Sequence, residues 1–260
     1  MKLIDIAVIT GAGKGIGKAT ALNLGKMGIF VLCISKSQNA ENTKNEIIKN
    51  NGKADFIQTD LYDYQKSFEL VSSWFKDKNF NKIGVALAAS DLGEPTNAEK
   101  FDGDVWDRCL RINVTGNLSV LYAILPKMIK SKFGRIVFFA GGGAAYSYPL
   151  FSAYSASKTA VVRTVENLNE MLKDKGDFAI SALAPGAVET DMLTKVKSAG
   201  AEVRTTVDIK EPVNYVTEFL NAESCGFSGS FVHVRDIWKE YLNNNKLVDN
   251  NLWKLRRTEK

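Results

Sequence analysis

Tyr154 and Lys158 stand four residues apart in the stretch Phe151-Ser152-Ala153-Tyr154-Ser155-Ala156-Ser157-Lys158, which opens an apolar-periodic run reaching about Lys173. On a helix that spacing stacks two side chains on one face, so an ammonium can lie beside a phenol. A neighbouring positive charge favours phenolate and lowers a pKa that is ordinarily about 10. Such a tyrosine could pass a proton near neutral pH. Many surface helices carry a Tyr/Lys pair by coincidence, so the elements that position this one must decide its meaning.

A chain of 260 residues suits one large α/β domain with a substantial core. Apolar content of 45% and charged content of 24% are those of a soluble globular protein. The start, Met1-Lys2-Leu3-Ile4-Asp5-Ile6-Ala7-Val8-Ile9-Thr10, has an acid inside its apolar run and no small-residue cleavage site, so it reads as a first strand. With no apolar run of membrane-span length, a cytoplasmic protein is expected and no membrane partner. Cys33, Cys109 and Cys225 are far apart and lack metal-ligand spacing, which argues against a disulfide framework and against a metal site. The net charge of +5 is modest and its cations are spread out, so nucleic acid is not indicated.

The run at 4–10 is followed at once by Gly11-Ala12-Gly13-Lys14-Gly15-Ile16-Gly17 and then by a helical pattern through about Met27. Strand, glycine turn and helix in that order bring backbone close to a pyrophosphate and aim free N–H groups and a favourable dipole at it. A second strand at 29–34 ends at Ser35-Lys36-Ser37. An NAD-preferring site would place an acid there for the ribose 2′-hydroxyl. Ser35 removes that repulsion, and Lys14 and Lys36 could attract a 2′-phosphate, so NADP(H) is favoured over NAD(H). Strands near 54–59, 83–89 and 135–140 alternate with helices near 40–50, 63–76 and 117–130. Asp104 is expected to cap a helix carrying Asn113 near its end. With a sixth strand before Pro185 and a last one at 229–234, this alternation is that of an α/β fold: a doubly wound, mainly parallel, seven-stranded sheet with helices on both faces.

With Thr10-Gly11-x-x-x-Gly15-x-Gly17, Asn113, Tyr154-x-x-x-Lys158 and Pro185-Gly186-Ala187-Val188-Glu189-Thr190 in view, the sequence resembles the short-chain dehydrogenase/reductase family over roughly residues 4–235. The resemblance implies a Rossmann-type sheet and hydride exchange with a nicotinamide cofactor. Tyr154 would be the acid in carbonyl reduction or the base in alcohol oxidation. Lys158 would hold the cofactor's ribose hydroxyls and lower the tyrosine's pKa, and Asn113 would organise a water-linked proton relay. Gly11, Gly13, Lys14, Gly15, Ile16 and Gly17 would cradle the phosphates. Asp60 and Leu61 would flank the adenine, and Ala88 would belong to the wall beside the cofactor. Pro185, Gly186, Val188 and Thr190 would surround the nicotinamide end. The resemblance also implies a homodimer or homotetramer.

Two positions depart from the family's pattern. The serine usually found thirteen residues before the catalytic tyrosine is Gly141 here, within Ala140-Gly141-Gly142-Gly143. Ser147, Tyr146 and Tyr148 are the nearest hydroxyl candidates, and the glycine run could also expose N–H groups as an anion nest. Where the family shows Asn-Asn-Ala-Gly, this chain reads Leu87-Ala88-Ala89-Ser90, so the hydrogen bonding there must be arranged differently.

In the segment 191–209, Lys195, Lys197 and Arg204 near a substrate mouth would suit an anionic small molecule. His233, the single histidine, reads as a structural hydrogen-bonder. The catalytic, dinucleotide-binding domain is placed at residues 1–235. A tail at 236–260, with Trp238, Leu252, Trp253 and Leu255, is expected to dock on its own subunit or on a neighbour. The expected function is an NADP(H)-dependent oxidoreductase of carbonyls and alcohols. The alternative is a nucleotide-binding sensor or structural subunit with weak or no turnover, which the missing serine favours.

Overall fold

A computed structural model describes residues 2–99, 101–203, 206–244, 246–249 and 253–256. Arg204 and Leu252 lie outside the described residues. Seven strands, β1 Ile6–Thr10, β2 Phe30–Ser35, β3 Lys53–Gln58, β4 Ile83–Leu87, β5 Phe133–Phe139, β6 Asp177–Ala184 and β7 Ser230–His233, form one sheet. Its order is β3-β2-β1-β4-β5-β6-β7, and every neighbouring pair runs parallel. Among the described residues the α-helices are α1 Gly15–Lys26, α2 Asn39–Lys49, α3 Tyr64–Phe75, α4 Gly103–Leu110, α5 Asn117–Lys130, α6 Ser152–Leu172, α7 Asp191–Ser198 and α8 Lys210–Leu220.

Strands covered on both faces must be apolar on both, and β1, β4 and β5 are buried at every position. Successive side chains point to opposite faces, so Ala7 and Ile9 join a core with Leu24 of α1, Ile47 of α2 and Phe219 of α8. Ile6 and Val8 join a second core with Val71 of α3, Leu121 of α5 and Val161 of α6. The strand order reverses between β1 and β4, whose ends lie in register at Thr10 and Leu87. That reversal opens a crevice at the carboxyl ends of the strands, where the glycine turn and the Tyr154 helix arrive.

One expectation is corrected. Asp104 does not cap α4; Asp102 does, its carboxylate accepting from the N–H groups of Asp104 and Val105. Asn113 sits in a π-helical stretch, Arg111–Gly116, that joins α4 to α5 without a break. The Asn117 side-chain amide donates to the carbonyls of Ile112 (3.1 Å) and Asn113 (3.3 Å), satisfying groups that the wide turn leaves without their usual partners.

The described tail residues lie against the chain's own sheet edge. The N–H of Phe231 in β7 donates to the Trp253 carbonyl at 2.7 Å, and the Trp253 ring meets Phe227 and Tyr241 edge-on. Glu166 of α6 accepts from the Leu255 N–H and from Arg256. Among the described residues no helix is long and apolar enough to cross a membrane, and no group of His, Cys, Asp and Glu could hold a metal ion.

Candidate active site

Tyr154 occupies the first turn of α6, and Lys158 the next, both facing the end of β5. The Lys158 ammonium donates to the Phe139 carbonyl at 2.7 Å and lies 5.4 Å from the centre of the Tyr154 ring. The lysine is 2% exposed, and among the described residues no carboxylate pairs with it. Burial therefore pushes its pKa down to about 7. Burial also raises the Tyr154 phenol above its ordinary value, with Tyr148 and Cys109 adding to the shift. Burial thus outweighs the lowering expected of Lys158. Desolvation acts against both charged forms, and a half-neutral amine offers the phenolate little compensation.

Asn113 is buried behind this pair and uses its amide in full. Its Oδ1 accepts from the Asp91 N–H at 2.7 Å and from Ser90 Oγ at 3.1 Å. Its Nδ2 donates to the Asp91 carbonyl at 2.9 Å and to Ser157 Oγ at 2.8 Å. Ser157 Oγ in turn donates to the Tyr154 carbonyl. Asn113 therefore ties the loop after β4 to the first turns of α6. Burial would raise the Asp91 carboxyl, but the Gly93 N–H and the Arg108 guanidinium, 2.7 Å away, hold it below its usual range.

The altered segment Leu87-Ala88-Ala89-Ser90 is held by groups that strand and helix patterning did not single out. Thr10 Oγ1 donates to Asn117 Oδ1 at 2.7 Å and accepts from the Ala89 N–H at 3.0 Å, and Asn117 Nδ2 donates to the Ala89 carbonyl at 2.9 Å. Asn117 lies four residues after Asn113, a spacing that could have flagged it. Replacing Asn117 by Ala strands the Ala89 and Ile112 carbonyls and the Thr10 hydroxyl, so a loss of about 3 kcal/mol is expected. A thermal melt should show the midpoint falling by roughly 6–12 °C; an unchanged midpoint would remove Asn117 from this role.

The glycine turn packs as its sequence requires. A Cβ on Gly17 would lie 2.4 Å from the Gly11 carbonyl oxygen, so only glycine lets α1 start this close to β1. No side chain caps α1 at Lys14 and no acid stands in its first turn, which leaves its N–H groups to an incoming anion. Gly13 abuts Ser35, and Gly15 abuts Thr190. Lys36 is exposed beside Ser35, whereas Lys14 is engaged with Asp191 at 2.7 Å. Asp60 accepts from the Tyr62 N–H in the turn after β3, and Leu61 is buried. Ala88, partly buried, follows β4 beside Gly11.

A cavity of about 280 Å³ joins these parts: Ile16 of α1, Gly141, Tyr154, and Pro185, Gly186, Val188 and Thr190 after β6 all line it. Its outer wall comes from Leu92, Tyr148, and Met192, Leu193 and Val196 of α7. Lys195 and Lys197 do not contribute to it. They pair with Glu94 and Glu189, because α7 is amphipathic and turns its apolar side inward. Of the three cations expected to suit an anionic substrate, two are thus engaged outside the cavity lining, and Arg204 lies outside the described residues. His233 also lines the cavity, with Nδ1 accepting from the Arg235 N–H at 3.2 Å. Burial lowers its pKa, so it stands neutral.

A nicotinamide dinucleotide fits this crevice, with an uncapped helix start at one end and the Tyr154 cavity at the other. The family model described as short chain dehydrogenase matches residues 5–201. The chain belongs to the short chain dehydrogenase family. Human 17-beta-hydroxysteroid dehydrogenase type 3 (Homo sapiens) is 32% identical over 231 residues, covering 85% of this chain and 70% of that protein. The 3-oxoacyl-[acyl-carrier-protein] reductase of Synechocystis sp. is 30% identical over 190 residues, covering 72% and 76%. The solved structure of an NAD+-bound xylitol dehydrogenase matches with a TM-score of 0.79 at 25% identity, covering 88% of this chain and 96% of that one. This short chain dehydrogenase is thus a nucleotide-binding oxidoreductase with the Rossmann-type sheet of its relatives.

Proposed function

We propose that the protein interconverts an apolar ketone and its secondary alcohol with NADP(H), using Tyr154 as the acid and base. The observation that carries this reading is that Tyr154 lines the same cavity as Ile16 of the phosphate-binding turn and Pro185-Gly186 after β6. When bound, the nicotinamide supplies or accepts the hydride. In reduction, Tyr154 gives its phenolic proton to the carbonyl oxygen; in oxidation, the phenolate takes the hydroxyl proton. Negative charge developing on the tyrosine favours the ammonium form of Lys158, and that ammonium steadies the phenolate. Asn113 holds Asp91 and Ser157 and so keeps α6 in place. The lining of Leu92, Met192, Leu193 and Val196 favours an apolar substrate body.

Ser35 and the exposed Lys36 beside the glycine turn support NADP(H) over NAD(H). Replacing Ser35 by Asp should shift the preference toward NADH by about tenfold or more, because like charges then face each other. Fluorescence titration of both nucleotides into wild type and variant reads this directly; equal affinities in the wild type would remove the lysine contribution. The experiment on the reaction is a screen of carbonyl compounds for NADPH oxidation, with Tyr154→Phe as control. A nucleotide-binding sensor without turnover is the second reading, favoured by Gly141 at the usual serine position, and tight NADPH binding with no oxidation across the panel would select it. We place the active protein in the cytoplasm as a homodimer or homotetramer, with residues 1–235 as the catalytic domain and 236–260 as a docking tail.

A further inference from the structure

A carbonyl oxygen that gains negative charge is stabilised by each donor aimed at it, and Tyr154 is one such donor. The position opposite is Gly141, where a Cβ would lie 3.3 Å from the Tyr154 hydroxyl oxygen. Gly141 has φ 156° and ψ 171°, a conformation that glycine adopts and other residues avoid. The backbone is therefore not shaped to receive a serine there, and the space beside the phenol stays open.

The loop from Ala140 to Phe151 brings three other hydroxyl side chains to the cavity, those of Tyr146, Ser147 and Tyr148. Tyr146 and Ser147 are exposed; Tyr148 is partly buried. The Tyr148 ring packs on Phe151 with centres 5.4 Å apart, and Phe151 is itself 1% exposed. Tyr148, Tyr154, Leu92 and Leu193 share one apolar cluster. The 3₁₀ turn Pro149–Phe151 leads from Tyr148 directly into α6, so both tyrosines hang from one rigid element. Burial raises the Tyr148 phenol, which keeps it a donor at neutral pH.

We propose that Tyr148 is a second catalytic residue, its phenolic O–H donating a hydrogen bond to the substrate carbonyl oxygen on the side that Gly141 leaves open. The hydroxyl is supplied from the far end of the loop by a long aromatic arm instead of from its start by a short one. The same ring walls the cavity and adds to its preference for apolar ketones. This inference rests on Tyr154 being the acid.

The test is NADPH oxidation with 9,10-phenanthrenequinone and a set of aromatic ketones, comparing wild type, Tyr148→Phe, Tyr154→Phe and Ser147→Ala. Phenylalanine keeps the packing on Phe151, so Tyr148→Phe should lower kcat about 10²–10³-fold while NADPH affinity and melting temperature stay as in the wild type. Wild-type kcat in Tyr148→Phe beside an inactive Tyr154→Phe would overturn the role of Tyr148 alone. So would a loss in Ser147→Ala with none in Tyr148→Phe, or a loss in Tyr148→Phe accompanied by weaker NADPH binding or a lower melting temperature. Full activity in Tyr154→Phe, or no turnover by the wild type on any of these ketones, would overturn the acid assignment and this inference with it.

Discussion

Tyr154→Phe should lower kcat about 10²–10⁴-fold, the contribution of a positioned acid or base, and leave NADPH affinity essentially unchanged. The ring stays, so its packing beside Leu92 and Phe151 is kept, and only the proton donor is removed. Because burial holds the phenol above its ordinary pKa, the wild type should reduce ketones across the neutral range without a loss from tyrosine ionisation. Oxidation needs the phenolate, so its rate should climb with pH. Steady-state rates in both directions between pH 6 and pH 10 check this; a variant that retains the wild-type rate would remove Tyr154 from the chemistry.

Lys158→Met should have effects of opposite sign on stability and on turnover. The folded pKa of about 7 lies below the lysine's ordinary 10.5. Between those values the unfolded chain binds a proton that the folded chain does not, so this group makes stability rise with pH across that window. Below about pH 7 both states carry the proton, and the folded state bears the full burden of a buried ammonium. Replacing Lys158 by Met removes that burden, so the cofactor-free variant should melt higher than wild type at pH 6–7, with the difference shrinking toward pH 10. Turnover should fall by about 10²-fold or more, since the cation that steadies the phenolate is gone. Melting curves of the cofactor-free proteins at three pH values, with kcat alongside, separate the two effects. A variant that melts lower at pH 6 would show that the ammonium is better compensated than the single Phe139 carbonyl suggests.

Local patterning makes much of this legible in the sequence. The apolar runs of β1, β4 and β5 announce strands buried on both faces, and the glycine turn between β1 and α1 announces an anion site, since both signals depend on near neighbours in the chain. The spacing of Tyr154 and Lys158 likewise puts them on one face of α6. The cap of α4 is Asp102 and not Asp104, two residues on, because the two offer the same chemistry and only backbone direction separates them. The place of the α7 lysines was hidden for a related reason: charge is visible in sequence, but the face it occupies depends on which side of the helix finds a core.

What the sequence by itself determined is therefore the alternation of strands and helices, the glycine turn, the Tyr154/Lys158 pair and the glycine at position 141. Each follows from residue type and short-range spacing. Only the tertiary structure decided that Thr10, Asn117 and Ala89 form the bond set replacing the usual asparagines, across 28–107 residues of chain. It alone decided that Tyr148 shares the Tyr154 cavity and that burial raises the Tyr154 phenol. Desolvation and long-range hydrogen bonds depend on what packs around a group, and that is a property of the assembled sheet and helices.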